Sequence, residues 1–181
     1  AAAADALASC CSSSRMRASF TVWREGEGLH YVMFNRGDEA RQPREVLSYP
    51  MGSERINALM TPLRDAVAAA PVLRHKINDV RFLTTTAGDA LATITYNAPI
   101  GDEWAAAAAE MAGALSSGVL GGAPLRVVGR SRKVKLVVGG ETVSERLDVP
   151  GRGACAYTQT EGAFTQPNAG VCEKMLGWAY E

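Results

Sequence analysis

Apolar and polar residues alternate along this chain in two periods that take turns. Residues 19–24 and 29–34 alternate with period two on either side of Glu25-Gly26-Glu27-Gly28, the composition of a hairpin loop. Residues 80–86 and 91–96 flank Ala87-Gly88-Asp89-Ala90 in the same manner. A third pair, 134–138 and 142–146, surrounds Gly139-Gly140-Glu141, where Gly-Gly supplies the positive φ of a tight turn. Between the hairpins the period changes to that of a helix. Ile56, Leu59, Met60, Leu63 and Val67 share one face of a helix predicted over 54–70, with Pro62 expected to kink or break it. Asp102 is placed to cap a second helix, whose Trp104, Met111 and Leu115 face one way. Pro167 and Asn168 open a last helix, with Val171, Met175 and Trp178 at helical spacing. The pattern predicts an α+β fold: a mainly antiparallel sheet of hairpins with amphipathic helices packed on it.

The organisation follows from shifts in composition. Residues 1–14 are a low-complexity Ala/Ser/Cys stretch carrying one charge, Asp5, without the basic region and apolar core of a secretory signal. The tail of an organellar transit peptide and a spurious extension both fit this stretch. The compartment therefore reads as cytoplasmic, with a mitochondrion or plastid as the alternative. Pro150-Gly151-Arg152-Gly153 reads as a linker that divides an α+β domain over 15–149 from a segment over 150–181. The last helix runs to the final residue as an amphipathic helix without a cap, which suggests a chain cut from a longer one. With 181 residues, 47% of them apolar, there is enough material for the core of one domain, and no apolar run is long enough to cross a membrane.

Charge alters this picture only locally. The 19 basic and 19 acidic side chains cancel, which excludes a globally basic nucleic-acid tail but leaves room for a basic face. Arg126, Arg130, Arg132, Lys133 and Lys135 stand within ten residues with no acid among them. Arg15, Arg17 and Arg24 form a second group, and Arg74, Lys76 and Arg81 a third that Asp79 relieves. Gathered on one face they would hold phosphates and fix the register of an RNA; scattered, they would solvate a sheet. Cys10, Cys11, Cys155 and Cys172 make no Cys-x-x-Cys pair and no metal-ligand spacing with His30 or His75, so free thiols and no metal are expected. Neither a Gly-rich phosphate loop nor a nucleophile–His–carboxylate motif occurs.

Seven short blocks occur in a familiar order: Arg15-Met16-Arg17-Ala18-Ser19-Phe20, Pro71-Val72-Leu73-Arg74-His75-Lys76, Phe82-Leu83-Thr84-Thr85, Asp102-Glu103-Trp104, Gly129-Arg130, Glu145-Arg146-Leu147 and Phe164-Thr165-Gln166-Pro167-Asn168-Ala169. Over residues 15–181 the sequence resembles the N-terminal half of the bacterial tRNA (uracil-5-)-methyltransferases, which make ribothymidine in the T-loop. The resemblance implies S-adenosyl-L-methionine as cofactor and tRNA, held by its T-arm, as partner. It implies a cysteine thiolate that adds to C6 of the uracil, methylation at C5, and a carboxylate that then removes the C5 proton. In the family these catalytic groups and the Gly-rich cofactor strand belong to a Rossmann-like C-terminal half, which should begin just after the last helix here. No catalytic residue is therefore expected in this chain, and the chain alone is expected to be inactive. An alternative is a stand-alone, non-catalytic tRNA-binding module. Gln166 matches the family glutamine that lines the cofactor site, its amide suited to the charged amino-acid end. Arg15, Arg17, Lys76, Arg130, Lys133 and Lys135 are the candidate RNA contacts, from charge and motif together.

Overall fold

The computed structural model describes residues 14–26, 28–34 and 42–180; the stretch 1–13 with Cys10 and Cys11, the loop residue Glu27, residues 35–41 and Glu181 lie outside the described residues. A seven-stranded sheet organises the chain in the order β3-β2-β1-β4-β5-β6-β7. Its strands are β1 (Arg17–Glu25), β2 (Gly28–Met33), β3 (Arg44–Glu45), β4 (Ile77–Thr84), β5 (Ala90–Tyr96), β6 (Leu125–Ser131) and β7 (Val134–Val138). The β1–β2 and β4–β5 hairpins form where the alternation places them. Neighbours are antiparallel except β5 and β6, which run parallel because a helix, α3 (Asp102–Gly118), carries the chain between them. The fold is α+β, with a mostly antiparallel sheet and helices packed against it.

One face of the sheet takes the helices. Ser53 starts α1 (Glu54–Ala69) by accepting the Ile56 amide on its hydroxyl at 3.2 Å. All five apolar residues of the expected face are buried, in one core with Phe20, Tyr31, Val80, Phe82 and Ile94. Of the kink or break expected at Pro62, the break does not occur: the helix runs on through it. Its ring forfeits one backbone hydrogen bond, at about 3 kcal/mol, but Ile56 and Leu59 before it and Leu63 and Val67 after it bury at roughly 1.5–3 kcal/mol each. A single turn, α2 (Pro71–Arg74), leads into β4. Gly101, not Asp102, occupies the cap position of α3; Asp102 and Glu103 lie in the first turn, where the positive end of the helix dipole favours their charges. Trp104 packs against β6 at Gly129, where an added Cβ would fall 2.5 Å from the indole.

The other face carries the last third of the chain, and here the expected third hairpin does not form. β7 pairs back onto β6 through Arg132-Lys133, with Arg132 in the left-handed region at φ 48°. β8 (Thr142–Val149) leaves the sheet and pairs instead with β9 (Gly153–Thr160). Burial explains the choice: Val143, Glu145, Leu147 and Val149 are all inward-facing, whereas β7 is a half-exposed edge that could not cover them. Val143 closes a small cluster with Leu83, Leu91 and Val128 across the sheet. Glu145, itself buried, accepts the Thr86 amide at 2.8 Å and the Gln159 amide at 3.2 Å, tying this hairpin to the β4–β5 turn. Pro150–Gly153, read from sequence as a linker, is the turn of the β8–β9 hairpin, with Gly151 and Gly153 at φ 78° and 80°. The last helix, α4 (Ala169–Tyr180), packs over that hairpin, with its Ala169 and Cys172 clustered with Leu147, Val149 and Cys155. Its Gly177 leaves room for the Pro150 ring, which a Cβ would meet at 3.1 Å.

Candidate functional site

The segment from Glu161 to Asn168 joins β9 to α4 and is held along its length by the main sheet. At its head the Glu161 side chain is 3% exposed and receives Arg130 through Nη2 at 2.6 Å and Nε at 3.0 Å. Thr93 donates to it at 3.2 Å, and the Lys135 ammonium stands 3.6 Å away. Burial pushes the Glu161 carboxyl up, but the Arg130 hydrogen bonds and charge, helped by Thr93 and Lys135, outweigh it and hold the carboxyl below its usual range. The same hydrogen bonds raise Arg130 above its ordinary value. Further along, Arg17 Nη1 donates to the Ala163 carbonyl at 3.1 Å and the Thr165 hydroxyl at 3.2 Å. The Met16 amide donates to the Pro167 carbonyl at 2.7 Å. Asn168 then caps α4, its Oδ1 accepting the Val171 amide at 3.0 Å.

Gln166 sits between these restraints, half-buried, with its backbone fixed on both sides and its amide free. Among the described residues only the Met175 sulfur meets its Nε2, at 3.6 Å. A thioether is a weak acceptor, so both ends of the amide remain open to a stronger partner.

The basic residues singled out from sequence do not gather on one face. The strand register divides them between the two ends of the sheet. Arg15 and Arg17 lie at the end where β1 meets Leu83, beside Gln166. Lys76, in the left-handed region at φ 51°, and Lys133 lie at the opposite end, where Ile77, Tyr96 and Ser131 align. Exposed Arg24 and Arg132 share that second end. Arg130 and Lys135 face each other between the ends and turn towards Glu161, while Lys135 also pairs with Glu141. Arg126 pairs with Asp89 at 3.3 Å. Three cations of the densest basic run are thus matched by carboxylates up to 37 positions distant in sequence, Arg126 with Asp89 being the farthest. Their partners were invisible to local charge counting. So was Thr165, which carries no signal as a ligand of Arg17.

Other chemistry is thin among the described residues. Cys155 and Cys172 are free thiols. Burial, then the nearby Glu145 and Glu173 charges, push the Cys172 thiol up, opposite to what a nucleophile needs. His30 pairs with Glu45 at 2.6 Å on the sheet edge. The described residues contain no cluster of three or more His, Cys, Asp or Glu disposed to hold a metal, and none of their helices is long and apolar enough to cross a membrane.

A family model described as tRNA (Uracil-5-)-methyltransferase matches residues 1–181. The chain belongs to this family. Its family relatives include the tRNA/tmRNA (uracil-C(5))-methyltransferase of Pseudomonas syringae pv. syringae, 48% identical over 167 residues, 92% of this chain and 44% of the relative. The enzyme of the same name from Azotobacter vinelandii is also 48% identical, over 92% of this chain and 43% of its own length. The chain thus spans under half the length of the curated relatives it matches. Its fold is similar to that of the Pyrococcus abyssi tRNA (uracil-54, C5)-methyltransferase, solved in complex with S-adenosyl-L-homocysteine, at a TM-score of 0.63 and 8% identity. That similarity covers 94% of this chain and 40% of the archaeal one.

Proposed function

We propose that this chain is the part of a tRNA uracil-5-methyltransferase that holds the T-arm of the RNA and lends Gln166 to the cofactor, with the nucleophilic Cys and the Glu base outside it. The observation that carries the proposal is the 48% identity over 167 residues to a named tRNA/tmRNA (uracil-C(5))-methyltransferase of which this chain spans 44%. S-adenosyl-L-methionine supplies the methyl group in this reading. The free amide of Gln166 fits the amino-acid end of that molecule, donating to a carboxylate and accepting from an ammonium. The exposed cations Arg24, Lys76, Arg132 and Lys133 at one end of the sheet suit phosphates, whereas Arg130 and Lys135 are engaged with Glu161.

The exposed face of α4 favours a part of a larger protein over a self-contained binding module. Val171, Met175 and Trp178 are 41%, 55% and 78% exposed, and Phe164 just before the helix is 88% exposed. A stand-alone module would be expected to cover such a face.

The test is methyl transfer by the full-length protein to a T-arm hairpin transcript, read as 5-methyluridine by nucleoside mass spectrometry. Product is expected with the target uridine and none when cytidine replaces it; this chain alone should bind the hairpin without methylating it. Absence of 5-methyluridine with the full-length protein would refute the proposal.

A further inference from the structure

We infer that Arg17 is a positioning residue for Gln166 and not a contact to RNA phosphate; the inference rests on the reading of Gln166 as a cofactor contact. Among the described residues, only the Met175 sulfur restrains the Gln166 side chain through a hydrogen bond. Its placement therefore depends on the backbone either side of it. The start of β1 holds both flanks: Arg17 takes the Ala163 carbonyl and the Thr165 hydroxyl, and the Met16 amide takes the Pro167 carbonyl. Arg17 is itself fixed, since β1 is paired to β4 with Arg17 opposite Leu83. A rigid sheet strand thus sets where the amide of Gln166 stands.

The contact suits a guanidinium. One Nη1, at the end of a long planar head, reaches two acceptors that flank Phe164. A lysine ammonium has three donors and could meet both acceptors, but its stem is shorter, more flexible and its charge more strongly hydrated, so it would hold them less firmly. Both acceptors are neutral, so the contact is not a charge pair and resists salt. A phosphate contact would behave oppositely, weakening as counterions compete.

Four variants of the full-length protein separate these roles: Arg17→Met, Arg17→Lys, Thr165→Val and Gln166→Ala. Arg17→Met is expected to raise the KM for S-adenosyl-L-methionine about tenfold with kcat nearly unchanged. Its tRNA affinity and the salt slope of tRNA binding should stay as in the parent. Thr165→Val, which removes one of the two acceptors and no charge, should give a smaller rise in the same constant, about threefold. Arg17→Lys should fall between parent and Arg17→Met. Amide hydrogen exchange, measured without cofactor or RNA, should be several-fold faster over residues 161–166 in Arg17→Met and unchanged in α1. A reduced tRNA salt slope with cofactor KM unchanged would overturn the inference and make Arg17 a phosphate contact. If Gln166→Ala raises cofactor KM while Arg17→Met and Thr165→Val leave it alone, the positioning inference fails and the cofactor reading stands. If Gln166→Ala leaves that KM unmoved, the cofactor reading itself fails.

Discussion

Gly129 offers the sharpest quantitative test of the packing. An alanine there would place its Cβ 2.5 Å, 2.6 Å and 2.8 Å from three carbons of the Trp104 ring. Carbon atoms pack at about 3.5–4.0 Å, so the indole or β6 must give way by roughly 1 Å. Neither moves freely. Trp104 is 1% exposed and meets Tyr96 edge-on at 5.9 Å, while β6 is paired on both sides by β5 and β7. Overpacking of this kind costs about 1–3 kcal/mol, and the absence of a flexible side chain to absorb it places Gly129→Ala at the upper end. With a urea slope of about 2 kcal/mol/M, the unfolding midpoint should fall by about 1.5 M, read by circular dichroism. Gly113→Ala is the control. It sits within α3 with nothing in reach of a new Cβ, so it should be neutral or stabilising by up to about 1 kcal/mol. Equal midpoints for the two variants would refute the argument that Gly129 exists to admit the indole.

The remaining predictions follow from the ion pairs and the exposed helix. Glu161→Gln should destabilise by about 1–2 kcal/mol, less than a fully buried pair because Arg130 is 40% exposed and regains water. Because the folded-state carboxyl lies below its usual range, this contribution is present above the ordinary carboxylate pKa, near 4.3, and is lost as pH falls through the folded value; parent and variant unfolding curves should converge in acid, and a gap that widens below pH 4 would contradict the pairing. Neutralising Arg132 and Lys133 together should weaken T-arm binding and lower the log–log salt slope by about two, whereas Arg130→Gln should lower stability and leave the slope alone; the reverse ranking would return the phosphate role to Arg130. Trp178→Ala, at a 78% exposed position, should change the stability of this chain by under about 0.5 kcal/mol in urea unfolding; a loss above about 1 kcal/mol would mean that the indole packs on the chain.

Local patterning made the sheet's hairpins, the helical faces and the Asn168 cap legible, because each depends on residues close in sequence. The expected hairpin at Gly139-Gly140 failed for a different reason. Both glycines do adopt positive φ, but where the chain goes afterwards is decided by what covers Val143, Glu145, Leu147 and Val149, and that cover comes from α4 and the far side of the sheet. Pro150–Gly153 carries the same composition as a linker and as a tight turn; only the pairing of β8 with β9 distinguishes them. At the site, charge counting found Arg17, Arg130 and Lys135 but not the groups they serve. Ala163, Thr165 and Glu161 lie up to 148 positions away and show no distinguishing pattern of their own. Gln166 was reached through the ordered motif blocks, not through periodicity or charge.

The claim that this chain holds the T-arm is tested most directly by titrating a fluorescent T-arm hairpin with it across a range of salt. The account predicts binding stronger than to a hairpin of the same stem with a scrambled loop, weakening with salt at a log–log slope of about −2 to −4 for two to four phosphates. Equal binding to both hairpins, or binding indifferent to salt, would contradict it.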